Sequence, residues 1–434
     1  MKNALKKFLG AIALGTAALG LVSCGGGSSS EVDEDGNKIV KIMFHVDARS
    51  AEGQAYKKRI DAFNTEYKDQ KIKASASYVA RSSGVGNYET DLTNKLMDGT
   101  LADIITFDAP NCASYAKNGI LYDITSLVPS DVTSDFISKS MYDGKLYGLP
   151  IQESSAGFYY NKKIFAEAGV DVSKYTVDNP WTFDEFKGVC EKLKGKLGKN
   201  KAVDMRLDSH KDETATYLLY PFIYAAGGSF VSEDGNTATG HFDSAATKKG
   251  FQFLKDLMNS EYTSQSIGAT DFFDGKVGMY LSSGWTIPDL DNKYPTTFPN
   301  RDSWGILPYP KDVTTASATG SWCFGITNNK TKDKDPVKEL LLWMTSKESA
   351  KDITTATGMI PARKSVADYK EGTPEHVLYQ QLLKTGKARP DTIAYPKLTS
   401  GFQTIIGQIG TKEISELVDA ATKDLQQELN NLNK

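Results

Sequence analysis

The chain has 434 residues, of which 40% are hydrophobic and 24% charged, an ordinary globular composition with length enough for two domains of usual size. Its 51 basic and 54 acidic side chains nearly cancel, to a formal net charge of -3 at pH 7, and they are spread along the whole sequence. The absence of a basic block of the kind that grips a phosphate backbone argues against nucleic acid as a partner.

The first element is a leader, "MKNALKKFLGAIALGTAALGLVSC", with Lys2, Lys6 and Lys7 ahead of an uncharged, mostly apolar run from Phe8 to Val22. A membrane-spanning helix needs roughly 20 apolar residues, whereas a secretory signal needs about 7 to 15 before small residues at the cut. The run fits the second description, so residues 1–23 read as a signal peptide. Leu21-Val22-Ser23-Cys24 resembles the bacterial lipobox. That resemblance implies that Cys24 takes a diacylglyceryl group and anchors the protein on the extracytoplasmic face of the cell membrane. An ordinary cleaved signal with an incidental cysteine is the alternative. Residues 24–37 then read as a lipidated cysteine and flexible linker, with Gly25 to Ser30 too poor in apolar atoms to pack. Cys112, Cys190 and Cys323 are an odd, scattered remainder that argues against a disulfide framework. They read as packed thiols, with one bridge among them left open.

Ile39, Val40, Ile42 and Phe44 in "NKIVKIMFHV" suggest a strand. Tyr56, Ile60, Phe63 and Tyr67 then share one helical face. "KIKASASYVA" reads as a second strand, the segment with Tyr88, Leu92 and Leu96 as a helix, and "LADIITFDAP" as a third strand. This order predicts an α/β fold with a mostly parallel, helix-covered sheet. Farther on, "GFYYN" is an apolar run without helical period, and Thr182 with Glu185 forms a predicted capping box. "DSAATKKGFQFLKDLMNS" and "DPVKELLLWMTSKESAKDI" each read as an amphipathic helix. Ile414, Leu417, Val418, Ala421, Leu425 and Leu429 mark another near the C-terminus.

Six segments, "DGTLADIITFDAPNCASYAKNGILYDIT", "DGKLYGLPIQESSAGFYYNKKIFAEAG", "WTFDEFK", "FFDGKVGMYLSSGWTIPDL", "WGILPYPK" and "TGMIPARKSV", fall in the order seen in extracellular solute-binding proteins of carbohydrate ABC transporters. In them the sequence resembles that family, which includes maltodextrin-binding protein. The resemblance implies a two-lobed periplasmic-binding-protein-like fold in which hinge strands join the lobes and the lobes close on a ligand. It puts residues 38–150 plus 322–380 in lobe 1 and 151–321 plus 381–434 in lobe 2. It also implies a monomer that delivers a sugar or oligosaccharide to an ABC permease, without enzymatic activity or cofactor.

Ligands of open α/β sheets bind beyond the carboxyl ends of the strands. In the first lobe that rule selects His45, Asp47, Arg81, Phe107, Asp108 and Asn111. Asp108 and Asn111 suit sugar hydroxyls, although both are equally suited to capping the next helix. Phe107 could stack on a ring. In the second lobe Trp285 follows a Gly turn, where the family commonly presents an aromatic platform. Such a ring removes the apolar face of a sugar from water while polar groups meet its rim. Trp322, beside the second lobe crossing that the resemblance implies near Gly320 to Cys323, is a similar candidate. Tyr217 is either a cleft aromatic or, with Tyr220 and Tyr224, part of a buried helix face. Tyr395 and Arg389 are weaker candidates, and Trp181, Trp304 and Trp343 are assigned to packing. "FDAPN" stands where some maltodextrin binders carry a charged cluster, which argues against maltodextrin as the ligand.

A secreted glycoside-acting enzyme is the main rival, since two carboxylates roughly 5 to 9.5 Å apart would suffice, but nothing singles out one pair. His45, His210, His241 and His376 match no zinc spacing, and neither a nucleophile elbow nor a phosphate-binding loop is present. A binder of a non-sugar solute on the same fold would differ only in cleft chemistry.

Overall fold

The computed structural model describes residues 31–81, 88–331 and 333–434; the leader, Cys24 and the Gly/Ser run lie outside them. Two compact units are present. One comprises the chain up to Gln152 with Ser321–Ala356 and Pro361–Val366, the other Glu153–Gly320, Thr357–Ile360 and Ala367–Lys434. Residues 367–380, expected with the first lobe, therefore belong to the second unit. Glu375 pairs there with Arg301, and the Tyr369 hydroxyl donates to the Met359 carbonyl at 3.4 Å. The expected linker is also shorter than 24–37. Asp33 accepts from the backbone amides of Asp35 and Asn37 at 3.1 and 2.9 Å, and Val32 bridges Lys38, so residues 31–37 form a hydrogen-bonded turn.

The main strands, in chain order, are β1 Lys38–Phe44, β2 Ile72–Tyr78, β3 Ile104–Asp108, β4 Lys145–Asn161, β5 Val203–Asp204, β6 Met279–Ser283, β7 Trp304–Leu307 and β8 Ser317–Ile326. In the first unit β1 pairs in parallel with β2 and with β3, and β3 pairs antiparallel with β8, with Asp108 opposite Trp322. Side chains alternate across this sheet. Val40, Ile42, Phe44, Ile104 and Phe324 pack with Tyr56, Ile60 and Phe63 of helix Ala51–Glu66 and with Leu340 and Leu341. Met43, Ile105, Phe107 and Cys323 pack on the other face with Tyr88, Leu92, Cys112 and Tyr115. Both faces are thus covered, and the three parallel strands end at one edge.

In the second unit β6 pairs in parallel with β5 and antiparallel with β4, and β4 pairs antiparallel with β7. The capping box at Thr182 and Glu185 is formed and starts helix Phe183–Leu197. Phe158 sits within 6.4 Å, centroid to centroid, of Trp181, Phe186, Phe222 and Tyr309, each such burial contributing roughly 1.5–3 kcal/mol. Helix Glu213–Ala225 packs on Ala245–Asn259 and on Tyr395–Gln408, which packs on Ile414–Leu432.

The helix predicted across "DPVKELLLWMTSKESAKDI" is two, Asp335–Met344 and Lys347–Thr357. Ser346 lies at the break and its hydroxyl accepts from the Ser349 amide at 3.2 Å, so a side-chain cap starts a new helix. Cys112, Cys190 and Cys323 are buried thiols outside any disulfide, Cys323 lying 3.1 Å from the Ser140 hydroxyl. Among the described residues no helix is long and apolar enough to cross a membrane.

Candidate functional site

In the first unit the strand ends gather His45, Arg81, Asp108 and, through the pairing of β3 with β8, Trp322. His45 is 6% exposed; its backbone amide donates to Thr106 Oγ1 and its Nδ1 lies 3.1 Å from the same oxygen. Its Nε2 lies 3.7 Å from Glu52, which accepts from the Tyr56 hydroxyl at 2.6 Å. Burial, and then the nearby Arg81 charge, hold the imidazole pKa well below its ordinary value, while burial raises that of Glu52. Near neutral pH His45 is therefore an uncharged ring. The Trp322 indole stacks on it, with centroids 3.4 Å apart and planes 1° apart, and the Arg81 guanidinium lies 4.8 Å from the indole centroid. Arg81 also pairs with Glu89 at 3.1 Å.

The other candidates of this unit divide. Asp108 precedes the 3-10 turn Ala109–Asn111 and Asn111 ends it, and neither makes a side-chain cap hydrogen bond, so the capping alternative does not account for them. Asp47 accepts from Arg49 at 2.9 Å, and that bonding lowers its pKa to about 2. Phe107 is a correction. It is 1% exposed, and its ring lies so close to Gly148 and Gly325 that a Cβ at either would come within 2.8 Å of it. The β3 pleat turns Phe107 into the core and leaves Trp322 on the neighbouring strand as the aromatic ring beside Asp108.

In the second unit β6 ends at Ser283, which is fixed by its hydroxyl donating to the Ser155 carbonyl at 2.6 Å and by its own carbonyl accepting from Tyr159 at 2.7 Å. The 3-10 turn Gly284–Thr286 follows and carries Trp285, the one exposed aromatic ring among the described residues at 39%. The Tyr217 ring lies 5.8 Å from it, tilted by 46°. The Tyr217 hydroxyl donates to Ser154 Oγ at 2.7 Å, and Ser154 donates to the Gly320 carbonyl at 2.9 Å. The Arg389 guanidinium lies 5.4 Å from the Tyr217 centroid and donates to Glu213 at 2.7 Å. Tyr395, 1% exposed, spends its hydroxyl on Glu213 as well. Its ring is a wall of this frame and offers no face for stacking.

Two groups here carried no sequence signal. Glu213 looks like any acidic residue in a first helical turn. Arg206, at φ 56°, donates to the Tyr280 hydroxyl at 2.7 Å and to Ser209 at 2.9 Å, while its backbone amide donates to Asp204 at 2.8 Å. Burial raises the Asp204 pKa to about 6. The described residues contain no cluster of three or more His, Cys, Asp or Glu able to hold a metal ion.

Each unit thus ends in a hydrogen-bonded frame around an indole, chemistry suited to holding a solute with both apolar faces and polar rims. Fold and surfaces together define a solute-binding protein. The chain belongs to the bacterial extracellular solute-binding protein family, whose profile matches residues 58–380. A binding protein of Brucella abortus is 26% identical over 314 residues, which cover 69% of this chain and 72% of that protein. The galactooligosaccharide-binding protein of Bacillus subtilis is 24% identical over 363 residues, 81% of this chain and 79% of the relative. The cyclic alpha-maltosyl-1,6-maltose binding protein of Arthrobacter globiformis has the same fold, with a TM-score of 0.75 and 24% identity over 91% of this chain and 100% of that one.

Proposed function

We propose that the protein is a lipid-anchored, extracytoplasmic receptor that binds a sugar or oligosaccharide and delivers it to an ABC permease. The observation that carries the reading is Trp285, an indole left exposed beside Tyr217 at the end of a buried strand. An indole in that setting can cover the C–H face of a pyranose, while the neighbouring hydroxyls and amides meet its rim. The ligands for which the galactooligosaccharide- and maltosyl-maltose-binding relatives are named support the same substrate class. The candidate ligand contacts are Asp108, Asn111, Arg81 and Trp322 within the first unit and, separately, Trp285 and Tyr217 within the second, with His45 supporting the Trp322 ring from below.

The test is a thermal-shift screen of mono- and oligosaccharides, with polyamines and short peptides as controls. A ligand at about 100 times its dissociation constant stabilises the folded state by roughly 2.7 kcal/mol, a readily measured rise in Tm. No shift with any sugar, together with a shift from a polyamine or peptide, would sink the carbohydrate reading. Slow hydrolysis of an oligosaccharide by the purified protein would replace it with a glycosidase.

A further inference from the structure

Glu213 is the first residue of helix Glu213–Ala225, next to the capping Asp212. A carboxylate there gains from the helix dipole, which by itself would be a structural role. Its partners indicate more. Its side chain is 13% exposed and that of Arg389 4%. One oxygen accepts from Arg389 and Tyr395, the other from Thr399 at 2.6 Å. Tyr217 lies four residues along the same helix, hence on the same face, and touches the same guanidinium. Glu213 and Tyr217 thus grip Arg389 together, one by an ion pair and one through its ring. A Cβ built on Gly320 would meet Tyr217 Cε2 at 3.0 Å, Arg389 Nη2 at 3.1 Å and Ser154 Oγ at 3.3 Å, so these groups converge with no spare room.

We propose that Glu213 is a positioning residue for the Tyr217–Trp285 binding surface, acting through Arg389. Glu213 fixes the guanidinium, the guanidinium fixes the plane of Tyr217, and Tyr217 sets the side of Trp285 that a ligand meets. The inference rests on the sugar-binding reading of that surface, although its geometry can be tested without ligand.

The full chain is compared with Glu213→Gln, Arg389→Met and the double variant Glu213→Gln/Arg389→Met. Removing Glu213 takes a buried carboxylate from Arg389, and removing Arg389 leaves the Glu213 carboxylate with the Tyr395 and Thr399 hydroxyls, so each single variant melts at a lower temperature. Removing both takes the buried pair away together, so the double variant loses less stability than the two single losses summed. Two readouts separate positioning from support: acrylamide quenching of Trp285 in the ligand-free protein, taken as the difference from Trp285→Phe in each background, and titration with maltotetraose and galactotetraose. Altered quenching in the refolded double variant, with affinity for whichever sugar binds weakened tenfold or more, is the expected result. Wild-type quenching and affinity in the folded double variant would overturn the proposal. If the wild-type protein binds neither sugar, the sugar reading is weakened, while the quenching comparison still decides this one.

Discussion

At the scale of single residues, exposure separates the two roles an aromatic ring can take. Trp285 is 39% exposed while Trp181 and Trp304 are at most 1% exposed, so truncation has different consequences. Trp285→Ala should cost roughly 1–2 kcal/mol of folding stability, well under the about 3–5 of a buried indole such as Trp181, and weaken sugar affinity by about tenfold or more, as loss of a binding anchor does. Calorimetric titration beside a melting curve checks both; a collapse of Tm would return Trp285 to the core. Asp204 gives a prediction in pH. Burial raises its folded pKa from 3.8 to about 6, so the folded state holds this proton more tightly than the unfolded chain does. The stability it contributes is therefore complete below about pH 4 and is lost as pH rises through about 6, to the extent of roughly 2–3 kcal/mol. Asp204→Asn keeps an oxygen for the Arg206 amide and never ionises. Its Tm should exceed that of the wild type at about pH 8 and approach it near pH 4; an advantage that stays constant or grows in acid would contradict the account. Strand-end position singled out His45 and Arg81 in the sequence, and a Gly turn within a family-like segment singled out Trp285. Glu213 was not legible there, because its partners stand 176 to 186 positions away and no local pattern announces them.

At the scale of elements, periodicity read well where one face is wet and poorly where none is. Helix Ala51–Glu66 alternates buried and exposed positions, and the 3.6-residue period was visible. Strand β3 is buried at all five positions, so its composition cannot say which side chains face the site, and Phe107 was placed on the wrong side for that reason. The split of the helix at Ser346 was equally hidden, since one Ser among helix formers is a weak signal. The turn after β6 shows how an element aims a side chain. A Cβ on Gly284 would stand 2.3 Å from the Gly358 carbonyl oxygen, so this backbone approach is open to glycine alone. Gly284→Ala should force the turn to shift and cost about 1–3 kcal/mol, as overpacking does. It should also reduce sugar affinity without touching a ligand-facing atom. An alanine variant with unchanged Tm and affinity would show that the turn yields freely.

At the scale of the whole molecule, the chain interleaves its two units, passing between them at 152/153 and 320/321, and again through the short stretches around 357–360 and 366/367. The fold class was legible because β-α-β order and six family-like segments recur across the sequence; the assignment of residues 367–380 was not, because it depends on contacts such as Arg301 with Glu375. Retention at the membrane is a proposal about Cys24, which lies outside the described residues. If Cys24 carries two acyl chains, anchoring is stable where one would be marginal, each buried methylene contributing about 0.8 kcal/mol. The turn that opens at Glu31 is tied to the body, Lys41 pairing with Glu31 and Lys73 with Asp33. Only Cys24 to Ser30 then separate lipid from protein, and seven residues at about 3.3–3.6 Å each reach no more than about 25 Å. The proposed anchor would therefore hold Glu31 within about 25 Å of the bilayer. Cys24→Ser removes the acylated thiol while leaving every described contact intact, so the variant should leave the membrane fraction, melt like the wild type and bind sugar with the same affinity. A Cys24→Ser protein recovered wholly with membranes would assign retention to the apolar run from Phe8 to Val22 and remove the lipid from the account.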